Sequence, residues 1–158
     1  MRYFRLASCF LRLIILGALF GMGAAYALSG PATDLNGDGK SDLLYRNSST
    51  GQVYRMLMNG FAITNAAMAY VEPNLAWNIV GDADFSGDGV SDLLWRNGST
   101  GQVYVMPFNV SGMPSSGAVV TTEPNAAWKI VHTPDVDGDG KADLLWWNSA
   151  QARATRCS

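Results

Sequence analysis

The sequence has little of the side-chain chemistry that enzymes and disulfide-bonded proteins use. Its 158 residues include two cysteines, Cys9 and Cys157, and one histidine, His132. Cys9 lies in an apolar leader and Cys157 is the last residue but one, so this is not a disulfide scaffold. His132 ends a short apolar run, which favours a structural role. No G-x-S-x-G motif, Cys/His pair or phosphate-binding loop occurs in the sequence, and we therefore expect no enzymatic activity.

Charge is also sparse, and it is unevenly placed. The sequence has 11 basic and 13 acidic residues, and the aspartates among them all lie in or next to three short loops. Lysine and arginine form no cluster, which argues against a nucleic-acid partner. The acidity is therefore local, as expected of residues that hold cations.

Residues 1–27 predict a secretory signal peptide. Arginines begin the segment, an apolar run covers residues 13–20, and Ala25-Tyr26-Ala27 is an A-x-A cleavage pattern. We expect this leader to be removed and the protein to be secreted, in the periplasm or outside the cell. The alternative is a retained membrane anchor, although the uncharged stretch is barely long enough to span a bilayer.

What the sequence does contain is one nine-residue loop written three times, at residues 34–42, 84–92 and 135–143. Oxygen-bearing side chains stand at loop positions 1, 3, 5 and 9 in each copy, and position 7 offers a backbone carbonyl. The predicted metal ligands are Asp34, Asn36, Asp38, Lys40, Asp42, Asp84, Ser86, Asp88, Val90, Asp92, Asp135, Asp137, Asp139, Lys141 and Asp143.

This spacing predicts about three Ca²⁺ sites. Calcium takes about 6–8 oxygen ligands in a flexible shell, and glycine at position 6 permits the sharp turn around the ion. Ser86 is the weakest of the position-3 ligands, so the middle site is expected to be weaker or more hydrated. An EF-hand or dockerin loop would place an acid at position 12, where this sequence has Tyr45, Trp95 and Trp146. An acidic turn without a metal is the remaining alternative.

The loops belong to a longer repeat of 50 and then 51 residues. Residues 49–54 match 99–104, and residues 72–80 match 123–131. In the complete copy, short apolar runs at 77–80, 93–96, 102–108 and 118–122 predict four strands of an antiparallel sheet. Such a sheet must stack on its neighbours to bury both faces, as a propeller blade does.

These motifs resemble a known family. The segment D-x-N-G-D-G-x-S-D-L-L, preceded by W-x-I-V and followed by W-R-N, resembles the FG-GAP/VCBS-like repeats of bacterial secreted proteins and is similar to the calcium-bearing blades of integrin α-chains. The resemblance implies a hairpin loop that holds calcium between the first two strands of each blade, with the ligands given above.

The predicted fold is accordingly all-β: a partial β-propeller of about two and a half four-stranded antiparallel blades with calcium loops. The predicted boundaries are a signal peptide (1–27), an incomplete first repeat (28–76), a complete second repeat (77–127), a truncated third repeat (128–148) and a non-repeat tail (149–158). A closed propeller needs about four blades or more, so either several chains form one homo-oligomeric ring or the sequence is a piece of a longer propeller.

The expected function is that of a non-enzymatic binding or adhesion module with an unidentified protein or glycan partner. The alternative is a carbohydrate-binding lectin formed by oligomerised blades. Trp95 and Trp146 are the candidate sugar-stacking residues, although aromatics that recur at one strand position favour packing between blades. A membrane contact is expected only if the leader is retained.

Overall fold

The computed structural model describes residues 33–150, and within them the chain is built of strands alone. The nine strands are β1 (Leu43–Arg46), β2 (Gln52–Asn59), β3 (Ala62–Val71), β4 (Trp77–Ala83), β5 (Asp92–Asn97), β6 (Gln102–Met106), β7 (Ala118–Thr122), β8 (Trp128–His132) and β9 (Leu145–Asn148). The signal peptide, the start of the first repeat and most of the predicted tail lie outside the described residues. No helix in the described part has the length and hydropathy that a membrane crossing needs.

The strands form three antiparallel sheets that follow one another along the chain. The first sheet has the order β1-β2-β3, the second has the order β4-β5-β6-β7, and the third pairs β8 with β9. The sheets have three, four and two antiparallel strands, and the described residues form no helix, so the all-β, partial-propeller prediction is confirmed.

Each predicted calcium loop occupies the same place in its sheet. Residues 84–92 join β4 to β5, residues 135–143 lie between β8 and β9, and residues 34–42 lead into β1. The loop therefore connects the first two strands of a sheet wherever both strands are described.

Tight turns that join the second and third strands of the repeat depend on glycine. In the first sheet the Asn47 side-chain oxygen accepts hydrogen bonds from the backbone N–H groups of Ser49 and Thr50. Gly51 follows with φ of 74°, and a Cβ there would lie 1.8 Å from the carbonyl oxygen of Glu72. Any larger residue would collide with the backbone of the next turn, which explains why the second repeat carries the same Asn-to-Gly spacing.

The core lies between the first and second sheets. Leu35 and Val53 from the first repeat pack with buried side chains of the second repeat, namely Val90, Leu93, Trp95, Met106 and Phe108. Neither sheet buries this surface by itself, so folding of the two repeats is coupled through it.

The observed strands differ most from the predicted runs at two places. β4 continues past Val80 to Ala83 through a bulge between Ile79 and Gly81. β6 ends at Met106 instead of Phe108, because Pro107 has no N–H to donate to the ladder. Phe108 instead forms an isolated bridge with Pro114.

Candidate metal centres

The first aspartate of each loop organises the turn around its own carboxylate. Asp34 Oδ1 accepts a hydrogen bond from the backbone N–H of Gly37 at 2.7 Å, and Asp34 Oδ2 accepts one from Gly39 at 2.8 Å. The same two bonds recur from Gly87 and Gly89 to Asp84, and from Gly138 and Gly140 to Asp135. The three loops therefore share one backbone conformation.

Glycine is required twice in this conformation. Gly37 and Gly39 have φ of 73° and 79°, and their counterparts in the other loops have φ between 78° and 87°. L-residues rarely adopt this left-handed region. The second of these glycines is the position-6 residue that the sequence predicted. The first, at loop position 4, adopts the same left-handed conformation.

The last aspartate of each of the first two loops is buried and accepts backbone hydrogen bonds with both carboxylate oxygens. Asp42 Oδ2 accepts a hydrogen bond from Leu35 N–H at 2.9 Å, and Asp42 Oδ1 accepts one from Met58 N–H at 2.8 Å. Asp92 does the same with Phe85 N–H and Phe108 N–H. This carboxylate thus ties its loop to a residue near the end of β2 in the first repeat and just past the end of β6 in the second, besides any role as a metal ligand.

The third loop brings carboxylates together most closely. Ligand oxygens of Asp135, Asp137 and Asp143 all lie within 4.8 Å of one another. Since calcium–oxygen distances are about 2.3–2.6 Å, two oxygens on opposite sides of one ion are at most about 5 Å apart. Asp143 Oδ2 accepts a hydrogen bond from Val136 N–H, and no described donor contacts Asp143 Oδ1. These residues therefore fit a calcium ion.

The remaining predicted ligands are arranged more loosely. Asp139 is not in the third-loop cluster. Asn36 and Ser86 occupy position 3 of the other loops, where the Asn36 oxygen accepts from Asp38 N–H and the Ser86 hydroxyl donates to Asp84 Oδ1 at 3.4 Å. Within residues 33–150, the first two loops hold no group of three carboxylates this close together.

Position 7 of each loop is held by the carboxylate at position 5. The N–H groups of Lys40, Val90 and Lys141 donate to Asp38, Asp88 and Asp139 over 2.8–3.0 Å. The Lys40 ammonium also lies 3.5 Å from Asp38 Oδ2, so this exposed pair offsets part of the first loop's negative charge.

Neighbouring loops are joined to each other, a contact that sequence reasoning missed. Ser91 N–H donates to the carbonyl oxygen of Asp34 at 2.6 Å, and Asp34 N–H donates to Ser91 Oγ at 2.9 Å. Ala142 N–H donates to the carbonyl oxygen of Asp84 at 2.7 Å. Position 8 of one loop thus binds position 1 of the preceding loop, and the signal available in the sequence was the serine shared by positions 41 and 91.

A profile of the FG-GAP-like repeat matches the chain twice, at residues 34–95 and 84–146. The chain belongs to the FG-GAP-like repeat family. Each match begins at one loop and runs through the next loop into the strand that follows it, so the match covers the same unit that the structure repeats. Comparisons with curated proteins and with solved structures returned no match.

In this FG-GAP-like chain the recurrent tryptophans stack under arginines of the preceding repeat. The Arg46 guanidinium carbon lies 5.5 Å from the ring centroid of Trp95, and that of Arg96 lies 5.2 Å from Trp146. Tyr70 adds an edge-to-face contact with Trp95. Trp95 is fully buried and Trp146 is half-buried. These two candidate sugar-stacking residues therefore lie between FG-GAP-like repeats, as residues that pack sheets together do.

Burial raises the pKa of two aspartates in or next to the middle FG-GAP-like loop. Loss of hydration raises the pKa of Asp92, and this effect outweighs the hydrogen bonds from Phe108 and Phe85, which lower it; the charge of Asp88 raises it further. Burial likewise raises the pKa of Asp82, against a hydrogen bond with Thr33. A divalent cation in the loop would favour the ionised form of Asp92 and reverse this cost.

Proposed function

We propose that this chain is a secreted, non-enzymatic binding or adhesion module whose stacked sheets are stabilised by Ca²⁺ in the three loops. The observation that carries the proposal is the group formed by Asp135, Asp137 and Asp143, whose oxygens lie within the span of one ion. The other two loops repeat its backbone conformation, and the position-1 aspartate of each has the same hydrogen bonds. Family membership supports the same function.

Charge explains why an ion would stabilise the fold. Each loop contains three or four acidic residues, and in the third loop the oxygens of three of them lie within 4.8 Å of one another, where like charges repel. The position-1 carbonyls of the first two loops also accept the bonds that join one loop to the next. An ion that orders a loop therefore orders the contact between repeats, and the ordered sheets then present their connecting loops to a partner outside the cell.

A thermal melt with and without calcium tests this proposal. An ion that binds only the folded chain at 100 times its Kd adds about 2.7 kcal/mol per site, so chelation should lower the Tm by many degrees. Magnesium is the matched control, because its demand for octahedral geometry suits these loops poorly. An identical Tm in chelator and in millimolar calcium would overturn the proposal.

Sugar binding is a second candidate, and one cavity favours it. Between the first and second sheets a space of about 200 Å³ is lined by Tyr70, Glu72, Trp77, Trp95, Tyr104 and Met106. The Glu72 carboxylate can accept a hydrogen bond from a sugar hydroxyl in this space, while the aromatic walls contact the faces of a pyranose ring.

A glycan array on matched variants separates the two candidates. Glu72→Gln keeps the side-chain oxygen that accepts from Asn74 N–H but removes the carboxylate charge. We expect it to lose a sugar signal without a change in Tm, whereas Glu123→Gln, the equivalent change in the next repeat, should keep the signal. No binding to any glycan, or equal loss in both variants, would exclude a sugar site in this cavity. Trp95→Ala is less informative alone because it also removes packing.

A further inference from the structure

The strand β5 shows what both faces of a stacked sheet look like in this protein. Side chains of a strand point alternately to its two faces. Leu93 and Trp95 face the first sheet, where Leu93 joins the core and Trp95 contacts Arg46. Leu94 is buried on the other face, and on that side Arg96 donates to the carbonyl oxygens of residues 123 and 128. Covered faces therefore bury all three apolar side chains almost completely.

The first sheet exposes the counterparts of one of these faces. Leu43 and Tyr45 occupy the repeat positions of Leu93 and Trp95. Leu43 is 41% exposed where Leu93 is 0% exposed, and Tyr45 is 53% exposed where Trp95 is 2% exposed. These side chains have the chemistry of a covered face without a sheet upon them.

The third sheet exposes the counterparts of the opposite face. Leu145 occupies the repeat position of Leu94 and is 48% exposed where Leu94 is 0% exposed. Trp147 stands where Arg46 and Arg96 stand in the earlier repeats, and it is 53% exposed. Large exposed apolar side chains grouped on one face mark an interaction surface.

We propose that these two faces bind each other between two copies of this chain, so that the third sheet of one copy stacks on the first sheet of the other as consecutive sheets stack within the chain. The contact continues an interface that the chain already forms twice. Trp147 would lie over Tyr45 of the other copy, in the relation that Arg46 has to Trp95. An indole suits this contact because it needs no carbonyl acceptors of the kind that hold Arg96.

The two faces differ, so the contact is head-to-tail and repeats until a ring closes. Two copies of residues 33–150 contain six sheets of two to four strands, or about five full blades, which is within the four to eight blades of closed propellers. A dimer with two identical junctions is therefore the assembly that this contact predicts.

Sedimentation velocity and native mass spectrometry of the full secreted chain in calcium test the proposal. We expect a dimer for the native sequence and a monomer for Tyr45→Glu and for Trp147→Glu, because each variant places a charge in the junction. An equimolar mixture of the two variants can form one native junction per pair, between the third sheet of the Tyr45→Glu copy and the first sheet of the Trp147→Glu copy. We therefore expect the mixture to form a dimer through that single junction, weaker than the native dimer, which neither variant forms alone. Trp147→Phe keeps an uncharged aromatic ring in the junction and should retain the dimer.

Phe61→Glu is the control, because Phe61 is fully exposed at the turn between β2 and β3; it should leave the mass unchanged. A native chain that stays monomeric would show that another segment or partner covers these faces, and it would overturn the proposal. So would a dimer that survives both glutamate variants, or a mixture that stays monomeric. Circular dichroism of each variant separates loss of assembly from loss of folding, and the mixing result then depends only on folded protein.

Discussion

The two junctions between sheets are built from equivalent residues but are held together differently. The first junction, between the first and second sheets, buries Trp95 completely and joins its loops with two hydrogen bonds between Asp34 and Ser91. The second junction, between the second and third sheets, leaves Trp146 half-buried and has one such loop bond, from Ala142. Burial of apolar side chains therefore contributes more to the stability of the first junction than to that of the second.

Hydrogen bonds from the arginines differ in the opposite direction, because more of them form at the second junction. Arg96 at the second junction donates to three backbone carbonyls, of residues 123, 125 and 128. Arg46 at the first junction has buried Nε and Nη2 groups with no acceptor among the described residues. One repeat sequence therefore supports two balances of packing and hydrogen bonding, and substitutions at equivalent positions should separate them.

The largest difference is expected for the tryptophans. Trp95→Ala should lower the free energy of unfolding by about 3–5 kcal/mol, as for other fully buried aromatic side chains. Trp146→Ala should cost roughly half as much, because part of that indole already contacts water. Urea unfolding at one protein concentration measures both. Equal losses would show that the second junction buries its tryptophan as deeply as the first. If an alanine variant fails to fold, Trp95→Phe and Trp146→Phe should give the same ranking.

Arginine-to-lysine substitution should lower the free energy of unfolding more at the second junction than at the first, the opposite of the order expected for the tryptophans. Arg96→Lys keeps the charge over Trp146 but loses the fork that reaches several carbonyls, and we expect a loss of about 1.5–3 kcal/mol. Arg46→Lys gives up no described hydrogen bond and should cost less than about 1 kcal/mol. The same unfolding experiment applies, and a greater loss for Arg46→Lys would contradict the contrast drawn between the two guanidinium groups.

A smaller effect than that of Trp95→Ala or Arg96→Lys is expected at the loop contact. Ser91→Ala removes the acceptor of Asp34 N–H and should cost about 1 kcal/mol. Ala142→Ser places a hydroxyl at the equivalent position of the second junction and should stabilise the chain by up to a similar amount. Differential scanning calorimetry in calcium can resolve these shifts. Opposite signs for the two changes support a shared loop-to-loop contact, and destabilisation by both would refute it.

Much of the fold followed from the sequence because the repeats restate it. The runs at 93–96 and 118–122 fall in β5 and β7, and the spacing of the aspartates locates each loop beside its strands. The end of β6 was missed although Pro107 marks it, because the apolar pattern continues through Phe108. Local pattern thus predicted elements better than it predicted their last residues.

The contacts between residues far apart in the sequence could not be read from spacing. Nothing in the sequence around Asp42 indicates that one of its carboxylate oxygens accepts a hydrogen bond from Met58 N–H, 16 residues away. The same holds for Arg96, whose acceptors belong to residues 27–32 positions further along the chain. The Asp42 contact depends on how β1 pairs with β2, and the Arg96 contacts depend on how the second sheet meets the segment that leads into the third. The segment that is Y-R-N in the first repeat, W-R-N in the second and W-W-N in the third gave no sign that each arginine stacks on the tryptophan of the next repeat.

The central claim is that calcium in the three loops stabilises the stacked sheets, and a calcium count tests it most directly. Equilibrium dialysis of the purified chain should recover about three ions per chain. Asp34→Asn, Asp84→Asn and Asp135→Asn, which keep one acceptor oxygen but remove one charge, should each lower the count by about one and lower the Tm in calcium. A native chain that retains no calcium at millimolar concentrations, or a count that none of these variants changes, would contradict the account.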